Sequence, residues 1–367
     1  MSGRYGSGME DYYWFALKSV PHVGNVTFRR LLEHFGSPAK ALSASAEELA
    51  GVKGVSAAAA SAIGCHDYRS TAERECLLLE QSGARLVTLL DADYPRSLLE
   101  IPDPPPYLYV KGSLREVEPA VAVVGSRRAS SYGILATRRL AGELAAHGIT
   151  VVSGMARGVD TAAHRGALAG GGMSIGVLGC GIDVTYPPEN RELFTAMAAE
   201  GGLISEFPLG TLPLAENFPR RNRIISGISR GVLVVEAAER SGSLITAQYA
   251  LEQGREVFAI PGNINCSSSR GTNRLIKQGA KLVDTVEDIL EELPHRGGTL
   301  SSTPAAPALE LTHQESAIYT ILAAAPHHID DIIVKSALTV GDVSAILLRL
   351  ELKGAVQQLP GKLFALV

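Results

Sequence analysis

The sequence predicts an α/β protein whose centre is a doubly wound parallel sheet, with a smaller helical module on either side. Uninterrupted Val/Ile runs alternate with helical periods between residues 119 and 293. Runs of this kind are typical of strands buried on both faces of a parallel sheet. Glycine accounts for 38 of 367 residues and aromatic residues for only 5%. That balance favours tight α/β turns over an aromatic-rich barrel.

Composition limits the classes of protein that need to be considered. A length of 367 residues suggests two or three domains at ~100–200 residues each. With 46% hydrophobic and 20% charged residues, the chain can form globular cores. The formal net charge of −4 excludes a globally basic nucleic-acid binder, although a local basic patch stays compatible with it.

Cysteine spacing and hydropathy give further expectations. Cys65, Cys76, Cys180 and Cys266 are far apart and form no C-x-x-C pair, so neither a zinc site nor a disulfide framework is expected. No apolar run approaches the ~18 residues that span a bilayer. The first residues lack an apolar segment typical of a signal peptide. We therefore expect a cytoplasmic protein without a membrane partner.

Seven β-branched runs mark the strands of the predicted sheet. They occupy residues 121–124, 150–152, 174–178, 203–204, 231–235, 256–260 and 281–283. Helical periods lie between most of them, for example over residues 134–147 and 244–253. Strands and helices that alternate at this spacing indicate a parallel sheet. Ligands of such sheets bind beyond the carboxyl ends of the strands, where loops meet helix N-termini.

Glycine-rich polar loops follow four of these strands. Their candidate ligand-binding residues are Gly125, Ser126, Arg127 and Arg128; Ser153, Gly154, Arg157 and Gly158; Gly242, Ser243 and Thr246; and Gly271 and Asn273. Free backbone N–H groups, hydroxyls and guanidinium groups at one edge of a sheet suit phosphate oxygens. The alternative is that these glycines and serines only make βα turns.

The densest basic cluster also contains an aromatic residue. It comprises Phe218, Arg220, Arg221, Asn222 and Arg223. On a helix, the first and last of its arginines share one face and the middle one lies on the next. Arginine for phosphate and an aromatic ring for a base is the combination that binds single-stranded nucleic acid. The alternative is a solvated helix face with Phe218 in the core.

Cofactor and catalytic motifs are missing. Gly179-Cys180-Gly181 follows a strand without the third glycine of G-x-G-x-x-G, and G-x-x-x-x-G-K-[ST] does not occur. Asp160 and His164 are one helical turn apart with no activated nucleophile beside them, which favours a capping and core role. We expect no cofactor, no metal and no catalytic residue.

The flanking modules are helical. Residues 20–36 and 49–63 have helix-turn-helix spacing around Gly24 and Gly54 and resemble helix-hairpin-helix units; a plain helical bundle is the alternative. Residues 314–325, 330–338 and 340–353 read as helices before a hairpin at 360–361, an order that resembles a winged helix. Asp342 in its recognition helix argues against DNA reading and favours a protein-contact or stabilising role.

These patterns give four segments. We expect a SAM-like helical domain over residues 1–95, a central domain over 96–293, a linker rich in Gly, Ser, Thr and Pro over 294–310, and a winged-helix-like domain over 311–367.

The central segment resembles the DNA-processing protein A (DprA, also called Smf) family of bacteria. The resemblance rests on Gly125-Ser126-Arg127, Ser153-Gly154-Met155-Ala156-Arg157-Gly158-Val159-Asp160, Tyr186-Pro187, Ser205-Glu206-Phe207-Pro208, Phe218-Pro219-Arg220-Arg221-Asn222-Arg223, Ser241-Gly242-Ser243-Leu244-Ile245-Thr246 and Gly271-Thr272-Asn273. Order and spacing agree over about residues 95–290. Many members also carry an N-terminal SAM-like domain and a C-terminal winged helix.

That resemblance implies an extended Rossmann-like core that binds single-stranded DNA, forms a homodimer and helps to load the recombinase RecA during natural transformation. It implies no catalytic activity. The family's DNA contacts correspond here to Ser126, Arg127, Arg157, Phe218, Arg220, Arg221 and Arg223. Arg157 stands where many members have lysine, which keeps the charge and changes the contact geometry.

Two other functions compete with this one. The core also resembles LOG-type phosphoribohydrolases, which process nucleoside monophosphates, but the corresponding loop at residues 241–246 lacks their carboxylate. The other alternative is a binding scaffold whose polar rim has lost its ligand. Gel-shift of short single-stranded DNA separates the scaffold from a DNA binder, and release of adenine from AMP identifies the enzyme.

Overall fold

A computed structural model describes residues 7–114, 117–293, 312–323, 325–352, 355–359 and 361–366. These residues form two compact units. The first unit contains the described residues from 7 to 128 and from 137 to 293, and the second contains those from 129 to 136 and from 312 to 366. The expected linker at 294–310 lies outside the described residues, and the four expected domain bounds stay predictions.

Helices form the start of the first unit. They are α1 (Ser7–Ser19), α2 (Asn25–Phe35), α3 (Pro38–Ser43), α4 (Ala46–Gly51), α5 (Ala57–Cys65) and α6 (Arg69–Ser82). Trp14 and Phe28 stack in their core with ring centroids 5.3 Å apart. Gly54 turns the chain between α4 and α5 with a φ of +81°, and its carbonyl accepts a hydrogen bond from Arg30 Nη1 at 2.7 Å. Both predicted hairpins are therefore present.

Within the described residues, nine strands form one sheet. They are β1 (Arg85–Thr88), β2 (Tyr107–Gly112), β3 (Ala120–Val124), β4 (Thr150–Ser153), β5 (Ser174–Val177), β6 (Gly202–Ser205), β7 (Gly231–Val234), β8 (Glu256–Ala259) and β9 (Lys281–Leu282). The order is β1-β2-β6-β5-β4-β3-β7-β8-β9. Strands β3 to β9 are parallel, while β1 and β2 pair antiparallel at one edge. The predicted α/β class is confirmed.

The chain winds in two directions from the middle of this sheet. Its helices are α7 (Arg96–Leu99), α8 (Ser131–Ala146), α9 (Val159–Ala169), α10 (Arg191–Glu200), α11 (Asn217–Ile228), α12 (Gly242–Glu252), α13 (Arg270–Lys277) and α14 (Glu287–Leu290). From β3 the chain proceeds through β4 and β5 to β6, and then returns to place β7 on the other side of β3. Such a switch point leaves a crevice at the carboxyl ends of the two central strands.

The second unit ends in a winged-helix arrangement. Its elements are α15 (His313–Ala323), β10 (His327–His328), α16 (Ile329–Ser336), α17 (Val340–Leu352), β11 (Val356–Leu359) and β12 (Leu363–Leu366). The strands pair in the order β10-β12-β11. Ile318, Ile332, Ile346 and Phe364 are buried between helices and sheet. The predicted order of three helices and a hairpin is confirmed, with β10 as an addition.

None of the helices in the described part of the chain is long and apolar enough to cross a bilayer.

Candidate nucleic-acid interface

A groove of about 500 Å³ opens at the switch point between β3 and β7. The loops after β3 and β7, the start of α9 and the first turns of α11 and α12 form its walls. The sequence-predicted residues that line it are Gly125, Ser126, Arg127, Arg128, Phe218, Arg221, Asn222, Gly242, Ser243 and Thr246. Segments that are more than 100 residues apart in sequence therefore contribute to one site.

Three exposed arginines face this groove. Arg127 and Arg128 follow β3, and Arg240 precedes α12. None of the three makes an ion pair with another described residue. Arg240 was not among the sequence-predicted site residues, although its position directly before the glycine-serine turn indicates that it could contact an anion there. Unpaired guanidinium groups at a groove are available to phosphate oxygens.

Phe218 provides the aromatic surface of the groove. Its ring packs on Gly179, where a Cβ would lie 2.9 Å from the ring, so glycine is required there for this close approach. Tyr186 contacts Phe218 with ring centroids 5.7 Å apart. The guanidinium of Arg127 covers the ring at 4.9 Å from its centroid, within cation–π range. These contacts hold the Phe218 ring in place. One face of the ring is covered by Arg127, which also lines the groove.

The loops of the groove interlock through their backbones. Gly158, the N-cap residue before α9, has a φ of +75°, and a side chain there would overlap the carbonyl oxygen of Ser126. Ser241 Oγ accepts a hydrogen bond from the N–H of Ser243 at 3.4 Å and caps α12. Asn222 Nδ2 donates to the carbonyl of Gly242 at 3.4 Å. These contacts fix the helix N-termini whose positive ends suit an anion.

Arg221 lies in the floor of the groove and is 3% exposed. Its Nη1 donates to the carbonyl of Gly154 at 2.8 Å and also to the carbonyl of Val177. Burial lowers the pKa of Arg221 to about 10, with Asp160 opposing the shift. Burial also raises the pKa of Asp160, which Arg221 opposes. The structure gives Arg221 internal partners, because two carbonyl groups and a buried carboxyl group surround it.

Arg223 points away from this groove. It is 8% exposed and pairs with Glu206 at 2.6 Å and Asp103 at 2.9 Å. Residues 218 and 222 of α11 face the groove, whereas 220 and 223 lie on the other side of the helix. A basic cluster on a helix is therefore divided between two faces.

The remaining predicted residues lie outside the groove. Arg157 is exposed and pairs with Glu189 at 2.6 Å. Ser153 Oγ donates to the carbonyl of Val123 at 2.6 Å, and Asn273 hydrogen-bonds the backbone of Gly262. Three glycines make close backbone contacts: Gly154 with the guanidinium of Arg221, Gly158 with the Ser126 backbone and Gly271 with the carbonyl of Ala237. The exposed Arg220 and the buried Arg223 lie on the far side of α11.

His164 supports the loop after β4 from the core. It is fully buried; its Nε2 accepts a hydrogen bond from the N–H of Met155 at 3.4 Å, and Nδ1 lies 2.8 Å from Ser174 Oγ. Ser174 Oγ donates to the carbonyl of Val151, so the neutral ring with its proton on Nδ1 satisfies every partner. Met155 has a φ of +57°, which is rare for a residue with a side chain. His164 therefore helps to hold a strained turn beside the groove.

We expect His164 to make the first unit sensitive to acid. Burial lowers the pKa of this imidazole to about 3, far below its unfolded value of 6.5. The unfolded chain then binds the additional proton, so stability is lost as pH falls below 6.5 towards 3. One such group costs about 2 kcal/mol between pH 7 and pH 5. Urea denaturation at both pH values, followed by Trp14 fluorescence, measures the loss; a His164→Gln variant that shows the same loss would contradict this origin.

The part of the chain that the structure describes holds no cluster of three or more His, Cys, Asp or Glu side chains suited to a metal ion.

Comparison with known families gives three matching regions. Residues 85–294 match the family of DNA recombination-mediator protein A. Residues 302–362 match the DprA winged helix domain, and residues 16–63 match the SAM-like helix-hairpin-helix tandem. The helix-hairpin-helix and winged-helix interpretations of the two flanking modules are thereby confirmed.

Individual relatives cover most of the chain. Protein Smf from Synechocystis sp. is 38% identical over 96% of this chain and 98% of its own length. Protein Smf from Escherichia coli is 44% identical over 80% of both chains. The DNA processing protein DprA from Streptococcus pneumoniae is 47% identical over 56% of this chain and 73% of its own.

Two solved structures are similar as well. DNA processing protein A from Streptococcus pneumoniae superposes with a TM-score of 0.65 at 36% identity, covering 78% of this chain and 98% of that one. The protein of the same name from Helicobacter pylori, described for its single-stranded DNA binding mode, gives a TM-score of 0.52 at 31% identity over 57% of this chain and 96% of that one.

Proposed function

Because the chain belongs to the family of DNA recombination-mediator protein A, known as DprA or Smf, we propose that it binds single-stranded DNA in the groove at the β3–β7 switch point. Binding is independent of sequence. The main observation behind this proposal is that three arginines without ion pairs and the Phe218 ring line one groove at the carboxyl ends of parallel strands. The single-stranded DNA binding described for the Helicobacter pylori protein supports the same ligand class.

Each part of the groove has a role in this proposal. Arg127, Arg128 and Arg240 contact backbone phosphates, which supply affinity without sequence information. Phe218 stacks on a base, and stacking tolerates every base because each has a π face. Arg221 and Asp160 do not contact the strand but hold the floor on which Phe218 and the loop after β4 rest. Arg157 is freed for a phosphate when its exposed pair with Glu189 opens.

We further propose a non-enzymatic role in recombination. On this view the protein forms a homodimer in the cytoplasm and helps to load the RecA recombinase onto the bound strand during natural transformation. Family membership supports this role, and the groove chemistry is compatible with it. His164 and Asp160 are engaged in core hydrogen bonds, which supports binding without turnover.

Fluorescence anisotropy of labelled oligo-dT, titrated at several salt concentrations, tests the proposal. We expect binding whose logarithmic affinity falls linearly with the logarithm of salt, with a slope of about −0.7 per phosphate contacted. Heteropolymeric strands should bind alike. Absence of binding at low salt would refute the function, and release of adenine from AMP would favour nucleotide processing instead.

Phe218→Leu should weaken oligo-dT binding about fivefold, corresponding to loss of about 1 kcal/mol of stacking. Because leucine keeps the apolar contact with Gly179 and carries no charge, the salt slope should stay at the wild-type value. Anisotropy measures both quantities. Phe35→Leu, which changes a ring in α2 that does not line the groove, serves as the matched control. A changed slope with unchanged affinity would contradict the stacking role.

A further inference from the structure

A second groove, of about 400 Å³, lies on the other side of α11. The N-terminal helices and the core form it together within the first unit. Its walls include Lys18 of α1, the first turn of α2, and Arg220 and Arg223 of α11. The function proposed above gives no role to this second groove.

Positive charge dominates the lining of this second groove. Three cationic side chains, Lys18, Arg220 and Arg223, face it. Among the described residues that line it, Asp103 contributes a carboxylate, which already pairs with Arg223 Nε at 2.9 Å. Arg220 is exposed and rests its guanidinium over the Phe207 ring at 5.7 Å. Glu206, which pairs with Arg223 at 2.6 Å, is a second carboxylate beside the groove, so three cations stand against two carboxylates and the balance still favours an anion.

Two of these cations have hydrogen-bonding capacity left over. The Arg223 side chain is 10% exposed, and its Nη1 has no hydrogen-bond partner among the described residues. Lys18 Nζ likewise makes no hydrogen bond or ion pair with a described residue. Burial, opposed by Glu206 and reinforced by Arg223 and Arg220, lowers the pKa of Lys18. Buried donors without acceptors are costly, so an incoming oxygen anion that reaches them gains more than it would at the surface.

The start of α2 adds backbone donors to the same groove. The helix begins after Gly24, which provides no side-chain cap, and its first turn contains no acidic residue. Its first N–H groups therefore lack the acceptors that caps usually supply, and they lie at the positive end of the helix. Val26 in this turn is 41% exposed and lines the groove.

We propose that the second groove binds a backbone phosphate of the same DNA strand that occupies the first groove. This inference rests on the proposed function. Helix α12 connects the two sites, because Ile245 lines the first groove and Tyr249, one helical turn further on, lines the second. A strand that follows this helix extends onto the N-terminal helices, which thereby take part in binding.

Two variants test the second groove without touching the first. Lys18→Gln removes a cation. Val26→Asp places a negative charge where it stabilises the helix N-terminus but repels phosphate, so the variant is expected to fold. Lys40→Gln, an exposed lysine on α3, and Val26→Asn are the matched controls. Anisotropy is measured with oligo-dT of about 6 and about 20 nucleotides, lengths that bracket typical single-domain sites.

We expect both variants to weaken binding of the longer strand about fivefold to tenfold and to reduce its salt slope by about 0.7. Binding of the shorter strand should match the wild type. Equal affinity of Lys18→Gln and Lys40→Gln for the longer strand would overturn the proposal. A thermal shift with inorganic phosphate that Lys18→Gln abolishes, without any change in DNA affinity, would assign the groove to a free anion and overturn it too. Failure of the unaltered protein to bind either strand is a different result, which removes the proposed function as well.

Discussion

Arg127→Ala should reduce the affinity for oligo-dT about 30-fold. The change removes a charged donor to phosphate, worth about 2 kcal/mol, and also the cation that covers Phe218. Because one phosphate contact disappears, the salt slope should fall by about 0.7. Arg127 is exposed and pairs with no described carboxylate, so the fold should keep its stability.

Two further variants sharpen this expectation. Arg165→Ala removes an exposed arginine of α9 that does not line the groove and should bind as the wild type does. Arg127→Lys keeps the charge but loses the planar group that stacks on an aromatic face, so we expect a wild-type salt slope with reduced affinity. Anisotropy measures all three proteins. Wild-type affinity of Arg127→Ala would remove this loop from the binding site.

Arg221→Met should destabilise the first unit by about 3 kcal/mol or more. Methionine fills much of the same volume but leaves the carbonyl groups of Gly154 and Val177 without a donor. It also leaves the buried Asp160 without the positive charge that opposes its desolvation. Urea denaturation followed by the fluorescence of Trp14, the single tryptophan of the chain, measures the loss.

This variant distinguishes a supporting residue from a DNA contact. Arg128→Met, at an exposed position of the same groove, should weaken binding while the unfolding midpoint stays unchanged. Adding Asp160→Asn to Arg221→Met should cost less than the sum of the two single changes, because the neutral asparagine amide has no charge that needs compensation. If Arg221→Met unfolds like the wild type yet loses DNA, the residue contacts the strand directly.

The sheet was largely readable from the sequence for a physical reason. Strands β3 to β7 are buried along their whole length, so their sequences are short apolar runs that stand out from the helical periods. Strands β1 and β2 escaped prediction. Arg85–Thr88 is short and only half apolar, and Tyr107–Gly112 follows a run of prolines that reads as an extended connector. Their antiparallel pairing depends on partners that local sequence does not reveal.

The site was only partly predictable. Helical periodicity places Arg220 and Arg223 on one face of α11, as observed, but it does not say which face meets the groove. The partners of Arg223 lie 17 and 120 residues away, at Glu206 and Asp103. Burial of Arg221 likewise depends on Gly154, which has no Cβ to occupy its place. The residue types predicted an anion site. Which arginines face the groove and which are paired inside the protein depends on tertiary contacts that the sequence does not reveal.

In the proposed complex with DNA, the guanidinium that lies over the Phe218 ring affects how the strand is released. An arriving base must displace that cation, and a departing base allows it to return, so each step swaps one partner for another. The net binding free energy at Phe218 is the difference between base stacking and the cation–π contact with Arg127. When the base leaves, the guanidinium covers the ring again. In the proposed complex, a strand held in this way can leave the groove one nucleotide at a time.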